Sequence, residues 1–260
     1  MTGTVPLLVG VLAAVLTGCG GRGVVELTGV RDGTGTPPPE SRSESLRPPP
    51  SSSPSSSSPA RTASPAQLLR AAREAFGSAT SVHVTGTFVR GAQAYVLDVR
   101  LAGTAGGTAT IETAGATVDV IRIGDTAYVG GDLAFWRSVT GNEAKARRMV
   151  GRHVRTAVSD PGFAAYVQFT EPRTYAEVLP DPGGPATRTG AATIRGTPVV
   201  GVRDGAGSAL YVAASGPAYP LRLDGLTDGQ VVFLDFSDYG TPVPLRAPSA
   251  RSLADPGSGS

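Results

Sequence analysis

The chain is expected to fold as an α+β domain: a curved antiparallel β-sheet, an open or half barrel, with helices covering its concave face. Three observations predict this. After residue 77 the apolar spacing changes from a helical period to strict alternation. The alternating segments then follow one another through short connections, which suit hairpins and leave no room for crossover helices. A stretch that favours helix interrupts them near the middle of the chain. A sheet that is apolar on one face has to be covered, and these helices are the available cover.

The elements follow in order. Ser64 is placed to cap a helix, Pro65 suits its first position and Gln67 completes a capping box. Leu68, Leu69, Ala72, Ala75 and Phe76 recur at helical spacing, and Gly77 is expected to end the helix. Strands are predicted over Val82 to Arg90, Tyr95 to Leu101, Thr108 to Thr113, Thr117 to Ile123 and Thr126 to Val129, with a turn at Gly103 to Gly107 and Trp136 beyond the fifth strand. Helices are predicted at Asn142 to Val150, closed by Gly151, and after Ser159-Asp160-Pro161, where Phe163, Tyr166 and Val167 follow. Thr174 with Glu177 reads as a further capping box. Strands resume at Thr197 to Arg203, Ala209 to Ala213, Tyr219 to Leu223 and Gln230 to Asp238, for about nine in all. Val231, Val232, Phe233 and Leu234 make the last strand apolar on both faces, as a strand packed on one side and lining a cavity on the other would be.

The N-terminal region is organised differently. Val5 to Leu16 is a 12-residue apolar run interrupted by Pro6 and Gly10, whereas about 20 residues are needed to span a bilayer. It has the length of a signal-peptide core, although Met1 to Pro6 carries no Lys or Arg. Leu16-Thr17-Gly18-Cys19 then has the pattern of a bacterial lipobox, and Cys19 is the single cysteine of the chain. Residues 1–18 are therefore expected to be a lipoprotein signal peptide and Cys19 a lipidated anchor. Two acyl chains, contributing about 0.8 kcal/mol per buried methylene, hold such a protein stably at a membrane.

From Pro37 to Pro65 there are 9 Pro and 11 Ser among 29 residues, with Leu46 the one large aliphatic. Such a composition cannot bury enough apolar surface to offset its ordering entropy. Residues 19–63 are read as a disordered tether, 64–248 as the folded domain and 249–260 as a flexible tail. The Pro/Ser stretch would reach about 90 Å if fully extended and roughly 30 Å as a coil.

The order helix, Ser81-Val82-His83-Val84, hairpins, Gly124-Asp125-Thr126-Ala127-Tyr128-Val129 and Trp136 resembles the actinobacterial LppX and LprG type lipoproteins. Gly196-Thr197-Pro198-Val199-Val200, Ala209-Leu210-Tyr211-Val212-Ala213, Tyr219-Pro220-Leu221-Arg222 and Asp235-Phe236-Ser237-Asp238-Tyr239-Gly240 extend the resemblance. It covers roughly Pro65 to Pro248 in order of elements, and more distantly it is similar to the LolA and LolB lipoprotein carriers. The resemblance implies a sheet whose concave side, roofed by helices, holds the acyl chains of a lipid or lipidated molecule. It implies no catalytic residue and no cofactor. Phe88, Leu97, Val99, Val120, Tyr128, Trp136, Phe163, Tyr211 and Phe233 are candidates for the cavity wall. The many Ala and Gly residues bear on how large such a cavity is.

The formal net charge of +2 comes almost entirely from arginine, with Lys145 the single lysine, and is too small to indicate a nucleic-acid partner. Lys145, Arg147, Arg148, Arg152, His153 and Arg155 fall within 11 residues. On a continuous helix Lys145, Arg148 and Arg152 would share a face suited to anionic headgroups. The two histidines, His83 and His153, have no recognisable partner motif, and GxSxG, HExxH and Walker patterns are absent from the sequence. Asp235 and Asp238 read as turn and rim residues before Gly240.

The expectation is an extracytoplasmic lipoprotein at the cell membrane. It would bind a membrane lipid or glycolipid and would not act as an enzyme. The alternative is a non-enzymatic envelope sensor or scaffold that binds a protein partner. Replacing Cys19 by alanine is expected to move the protein from the membrane fraction into the medium, and membrane retention unchanged by Cys19→Ala would overturn the anchor.

Overall fold

The computed structural model describes residues 59–227 and 230–254. The expected signal peptide, Cys19 and most of the tether lie outside the described residues. Capping chemistry fixes the entry. The Ser64 side chain accepts from Gln67 N, and the Gln67 side chain accepts from Ser64 N, completing the box at the start of α2 (Pro65–Ser78). The helix continues through Gly77 to Ser78, so Gly77 lies inside it rather than ending it. Leu68, Leu69, Ala72 and Phe76 form its buried face. One helical turn, α1 (Pro59–Thr62), precedes it.

The first meander comprises β1 (Val82–Arg90), β2 (Gln93–Leu101), β3 (Gly106–Thr113), β4 (Ala116–Ile123), β5 (Thr126–Gly131) and β6 (Val154–Ala157). Two helices separate the last two of these strands: α3 (Leu133–Thr140) and α4 (Glu143–Met149). Next come α5 (Ala164–Val167) and α6 (Pro172–Val178), then the second meander: β7 (Ala186–Ile194), β8 (Thr197–Asp204), β9 (Ala209–Ala213), β10 (Pro220–Thr227) and β11 (Gln230–Ser237). All eleven strands form one sheet in the order β6-β5-β4-β3-β2-β1-β11-β10-β9-β8-β7, with antiparallel neighbours throughout. The sheet is curved and unclosed.

The two strands beyond the expected nine are β6 and β7, its edges. Half-covered edge strands lose the clean apolar alternation that reveals central ones. Trp136 lies on α3, which was not anticipated although Asp132 caps it through Phe135 N at 2.8 Å and Gly141 closes it in the left-handed conformation. The Thr174–Glu177 capping box does not form. Thr174 is already inside α6, and its hydroxyl donates to Gln168 O at 2.6 Å.

One face of the sheet, here the inner face, carries Val84, Phe88, Leu97, Val99, Ile111, Val120, Val129, Val202, Leu210, Leu223 and Leu234, all buried in a single core cluster. The chain from β6 to β7 contributes Val167, Phe169, Tyr175, Val178 and Leu179 to that cluster, since its ends belong to the two opposite sheet edges. Two arginines hold this crossing segment. Arg122, on the inner face of β4, donates through Nε and Nη2 to Thr170 O at 3.3 and 3.1 Å and through Nη1 to Gly124 O at 3.2 Å. Arg73 of α2 donates to the carbonyls of Ala176, Leu179 and Pro180.

The folded chain also extends past both expected boundaries. Ala60 is buried, and its carbonyl and that of Ala63 accept from Arg188 of β7. At the other end, part of the expected tail is docked: His153 N donates to Ser252 O, and Ala254 N to His153 O, each at 2.8 Å.

Gly86 of β1 and Gly225 of β10 flank β11 with φ of 140° and 139°. A Cβ at Gly86 would lie 1.9 Å from Phe233 O, so only glycine admits this close backbone approach. Gly86→Ala is therefore expected to cost at least about 2 kcal/mol in urea denaturation. Gly77→Ala, in open space on α2, should stabilise by about 0.5–1 kcal/mol.

Candidate functional site

Strand parity decides which side chains meet. Phe88, Leu97, Val99 and Val120 point from the sheet to the inner face, and Trp136 joins them from α3; all five are buried. Phe163 is partly buried, 6.5 Å ring to ring from Phe135. Tyr128, Tyr211 and Phe233 have the other parity and project from the outer face. Tyr128 alternates with buried Ala127 and Val129, and Tyr211 with buried Leu210 and Val212. Phe233 is 52% exposed. The nine candidates therefore do not form one lining. Both neighbours of each outward residue are apolar too, and alternation within two-sided apolar strands does not say which side is covered.

The inner face is filled mainly by rings. Phe169 of the crossing segment stands edge-on to Phe88 at 5.8 Å and tilted against Tyr95 at 5.1 Å. Phe135 contacts Trp136 at 4.8 Å and Tyr166 at 5.5 Å. Tyr175 is fully buried and its hydroxyl donates to Phe169 O at 2.9 Å; burial pushes its ionisation far above the ordinary tyrosine value, which keeps it a neutral donor. Trp136 Nε1 is buried with no hydrogen-bond partner. An orphaned donor of this kind costs roughly 1–3 kcal/mol, unless an acceptor reaches it.

A cleft of about 290 Å³ opens on this inner side where β1 ends, between the sheet and the crossing segment. Its apolar floor is Phe88 and Val178, and its rim is Arg90, Gln168, Thr174, Glu177 and Gln230. Arg90 lies 5.5 Å from the centre of the Phe88 ring and makes long contacts with Gln230 Oε1 at 3.4 Å and Gln168 Oε1 at 3.5 Å. Glu177 instead pairs with Arg173 at 2.5 Å. Arg90 thus stands at an apolar opening facing neutral acceptors, a geometry suited to an anionic or strongly polar group. These rim residues were not recognised in the sequence. The available signal was parity, because Arg90 continues the inward series of Val84 and Phe88.

The basic run is divided. Lys145 and Arg148 are exposed on α4, but the helix ends at Met149, so Arg152 is not on the expected shared helical face. Arg147 is drawn to Glu143, which also pairs with Arg137. His83 bridges two carboxylates on the outer side, with Nε2 2.8 Å from Asp98 Oδ1 and Nδ1 3.3 Å from Asp238 Oδ2. Asp235 accepts from Arg222 and Arg195. Among the described residues no group of three or more His, Cys, Asp or Glu is arranged to hold a metal ion, and no helix is long and apolar enough to cross a membrane.

No family model and no curated protein matches this chain. Among solved structures it is similar to LprF from Mycobacterium bovis, at 16% identity over 71% of this chain and 97% of that one, with a TM-score of 0.45. It is also similar to the lipoprotein LppX of Mycobacterium tuberculosis, at 14% identity over 70% and 98%, with a TM-score of 0.41. A LolA superfamily protein from Nitrosomonas europaea matches at 14% identity over 72% and 96%, with a TM-score of 0.27.

Asp224 stands opposite Phe233 across β10 and β11. Partial burial raises its pKa, against the attraction of Arg222. Because the folded state then binds the proton more tightly than the unfolded state, ionisation destabilises the fold as pH rises through the folded pKa. Asp224→Asn is expected to raise the denaturation midpoint at neutral pH. That gain should vanish near pH 3, below the ordinary aspartate value of about 3.9.

Proposed function

We propose that this chain is a membrane-anchored lipoprotein on the extracytoplasmic face, which takes an acyl chain of a lipid or lipidated molecule beneath its crossing segment and carries or presents it in the cell envelope. The observation that carries this reading is the cleft at the end of β1: an apolar floor with a polar, arginine-bearing rim, whose floor ring Phe88 packs against Phe169 of the interior. At about 290 Å³ it sits at the lower limit of small-molecule clefts, about 300–1,000 Å³. Full loading therefore requires the crossing segment to lift from the sheet. That segment is held largely by rings and by guanidinium-to-carbonyl bonds rather than by strand pairing, so it can move without breaking the ladder. An ester carbonyl entering the interior would supply the acceptor that Trp136 Nε1 lacks.

In this reading Phe88, Leu97, Val99, Val120, Trp136 and Phe163 are the acyl-facing residues. Lys145, Arg148 and Arg152, with exposed Val139 and Val150 nearby in sequence, meet the anionic lipid surface, at about 1 kcal/mol per charge. Cys19 and the tether set the distance from that surface. A second reading, a scaffold for a protein partner, is favoured by one observation. Phe233, Val96, Leu226 and Val231 are 36–52% exposed on the outer face, where adjoining strands form a continuous apolar strip.

Trp136 is the chain's single tryptophan, so its emission reports on the interior directly. Oleate, or vesicles containing phosphatidylglycerol, are expected to shift that emission saturably, and native mass spectrometry of the full chain should detect co-purifying acyl species. Arg90→Glu should weaken oleate binding about tenfold by setting like charges at the rim. A chain that purifies empty and whose tryptophan emission does not respond to either probe would sink the lipid reading and leave the scaffold.

A further inference from the structure

The two edges of the sheet are treated differently. The β6 edge has four residues, and the chain just before it is covered by the C-terminal segment, which exchanges backbone hydrogen bonds with His153. The β7 edge has nine residues, of which Gly190 to Thr193 are exposed, and among the described residues no strand lies beyond it. Natural sheets usually protect such an edge with lysine, proline or inward charge. Here the sequence Ala186 to Ile194 holds one charged residue, Arg188, and its guanidinium is turned away to the carbonyls of Ala60 and Ala63.

Ladder parity identifies which backbone groups are free. Thr193 lies opposite Pro198, and Pro198 O accepts from Ala214 N at 2.9 Å. The main-chain groups of Pro198 therefore face β9, and in an antiparallel ladder its partner Thr193 turns its own N–H and C=O outward. Two residues earlier Ala191, opposite Val200, does the same. Ala192, between them, is bonded to Val199 across the ladder.

We propose that the β7 edge pairs with the β7 edge of a second copy of this chain, antiparallel about a two-fold axis at Ala192, joining two sheets into one. Ala191 N–H and C=O meet the C=O and N–H of Thr193 in the partner copy, and the reciprocal pair completes four hydrogen bonds. The register is self-complementary, as a two-fold interface must be. Around its centre Ala192 faces its own copy, and the irregularity between Arg188 and Ala191 limits the regular pairing to Ala191 through Thr193, where no charged residue lies and the side chains are small. With so few bonds the dimer is weak and reversible, independent of whether the inner face binds lipid.

The test uses the full chain carrying Cys19→Ala, so that no acyl anchor drives association. Sedimentation velocity over a wide concentration range is expected to show a reversible monomer–dimer equilibrium. Thr193→Pro removes an outward N–H that has no partner among the described residues, and proline is tolerated at such edge positions. It should weaken dimerisation about tenfold or more with little change in Tm. Ala192→Pro should instead destabilise the monomer, because it removes a donor directed at β8. Amide exchange of the unmutated chain gives an independent reading: Ala191 and Thr193 should be protected at high concentration and exchange rapidly on dilution. A chain that stays monomeric, or a dimer indifferent to Thr193→Pro, would overturn the proposal. So would protection that persists on dilution, which would place another segment of the same chain on the edge. Loss of dimerisation with oleate binding intact separates this proposal from the lipid reading.

Discussion

The pairing of β1 with β11 is the constraint on which the rest of the structure depends. These are the first and last strands of the sheet, and seven cross-strand pairs from His83↔Ser237 to Val89↔Val231 join them. Without them the chain would be two separate meanders of six and five strands, each with an unpartnered hydrophobic edge. With them the outer strands become β6 and β7, which are consecutive in sequence yet farthest apart in the sheet. The connection between them has to span the whole inner face. The roof over that face therefore follows from topology, and the interior it encloses is a consequence of joining the two ends of the fold. Contacts this distant in sequence incur a large loop-closure entropy before they contribute stability.

A roof attached in this way is held differently from a strand. Its anchors are Phe169 against Phe88 and Tyr95, the Tyr175 hydroxyl on Phe169 O, and the guanidiniums of Arg122 and Arg73 on main-chain carbonyls. Carbonyl acceptors at Thr170, Ala176 and Pro180 are satisfied by side chains that reach from the sheet and from α2, as buried backbone groups away from regular ladders require. Among the described residues each arginine is held by several main-chain carbonyls converging on its guanidinium. The same segment also contributes Val167, Val178 and Leu179 to the buried core, so side-chain packing and these carbonyl bonds together fix it to the sheet.

The central elements were legible from the sequence. Strict alternation located β1 to β4, the capping box located α2, and the short connections dictated antiparallel order. The edges were not, because none of the nine residues of β7 is buried and β6 has only four residues, so neither shows a period strong enough to read. Interior residues were legible where an apolar residue alternates with a polar one, as at Leu97 and Val99 beside Asp98 and Arg100. They were not where both faces are apolar: Phe233 was grouped with Phe88, yet the registers Thr87↔Phe233 and Gly86↔Leu234 place it on the opposite side. Arg90, Gln168 and Gln230 come together from three distant stretches of chain, and nothing local in any of them announces the rim.

The sequence by itself determined the fold class, the antiparallel order of the hairpins, the sites of the main breaks and the composition of the tether, because each is a local matter of period, capping, turn chemistry or apolar content. Only the tertiary structure decided that β1 closes onto β11, that the connection from β6 to β7 becomes a roof, and which face of each two-sided strand is covered. Those outcomes depend on pairing between residues more than a hundred positions apart, whose register is set by the burial of a whole sheet and by no signal within either strand.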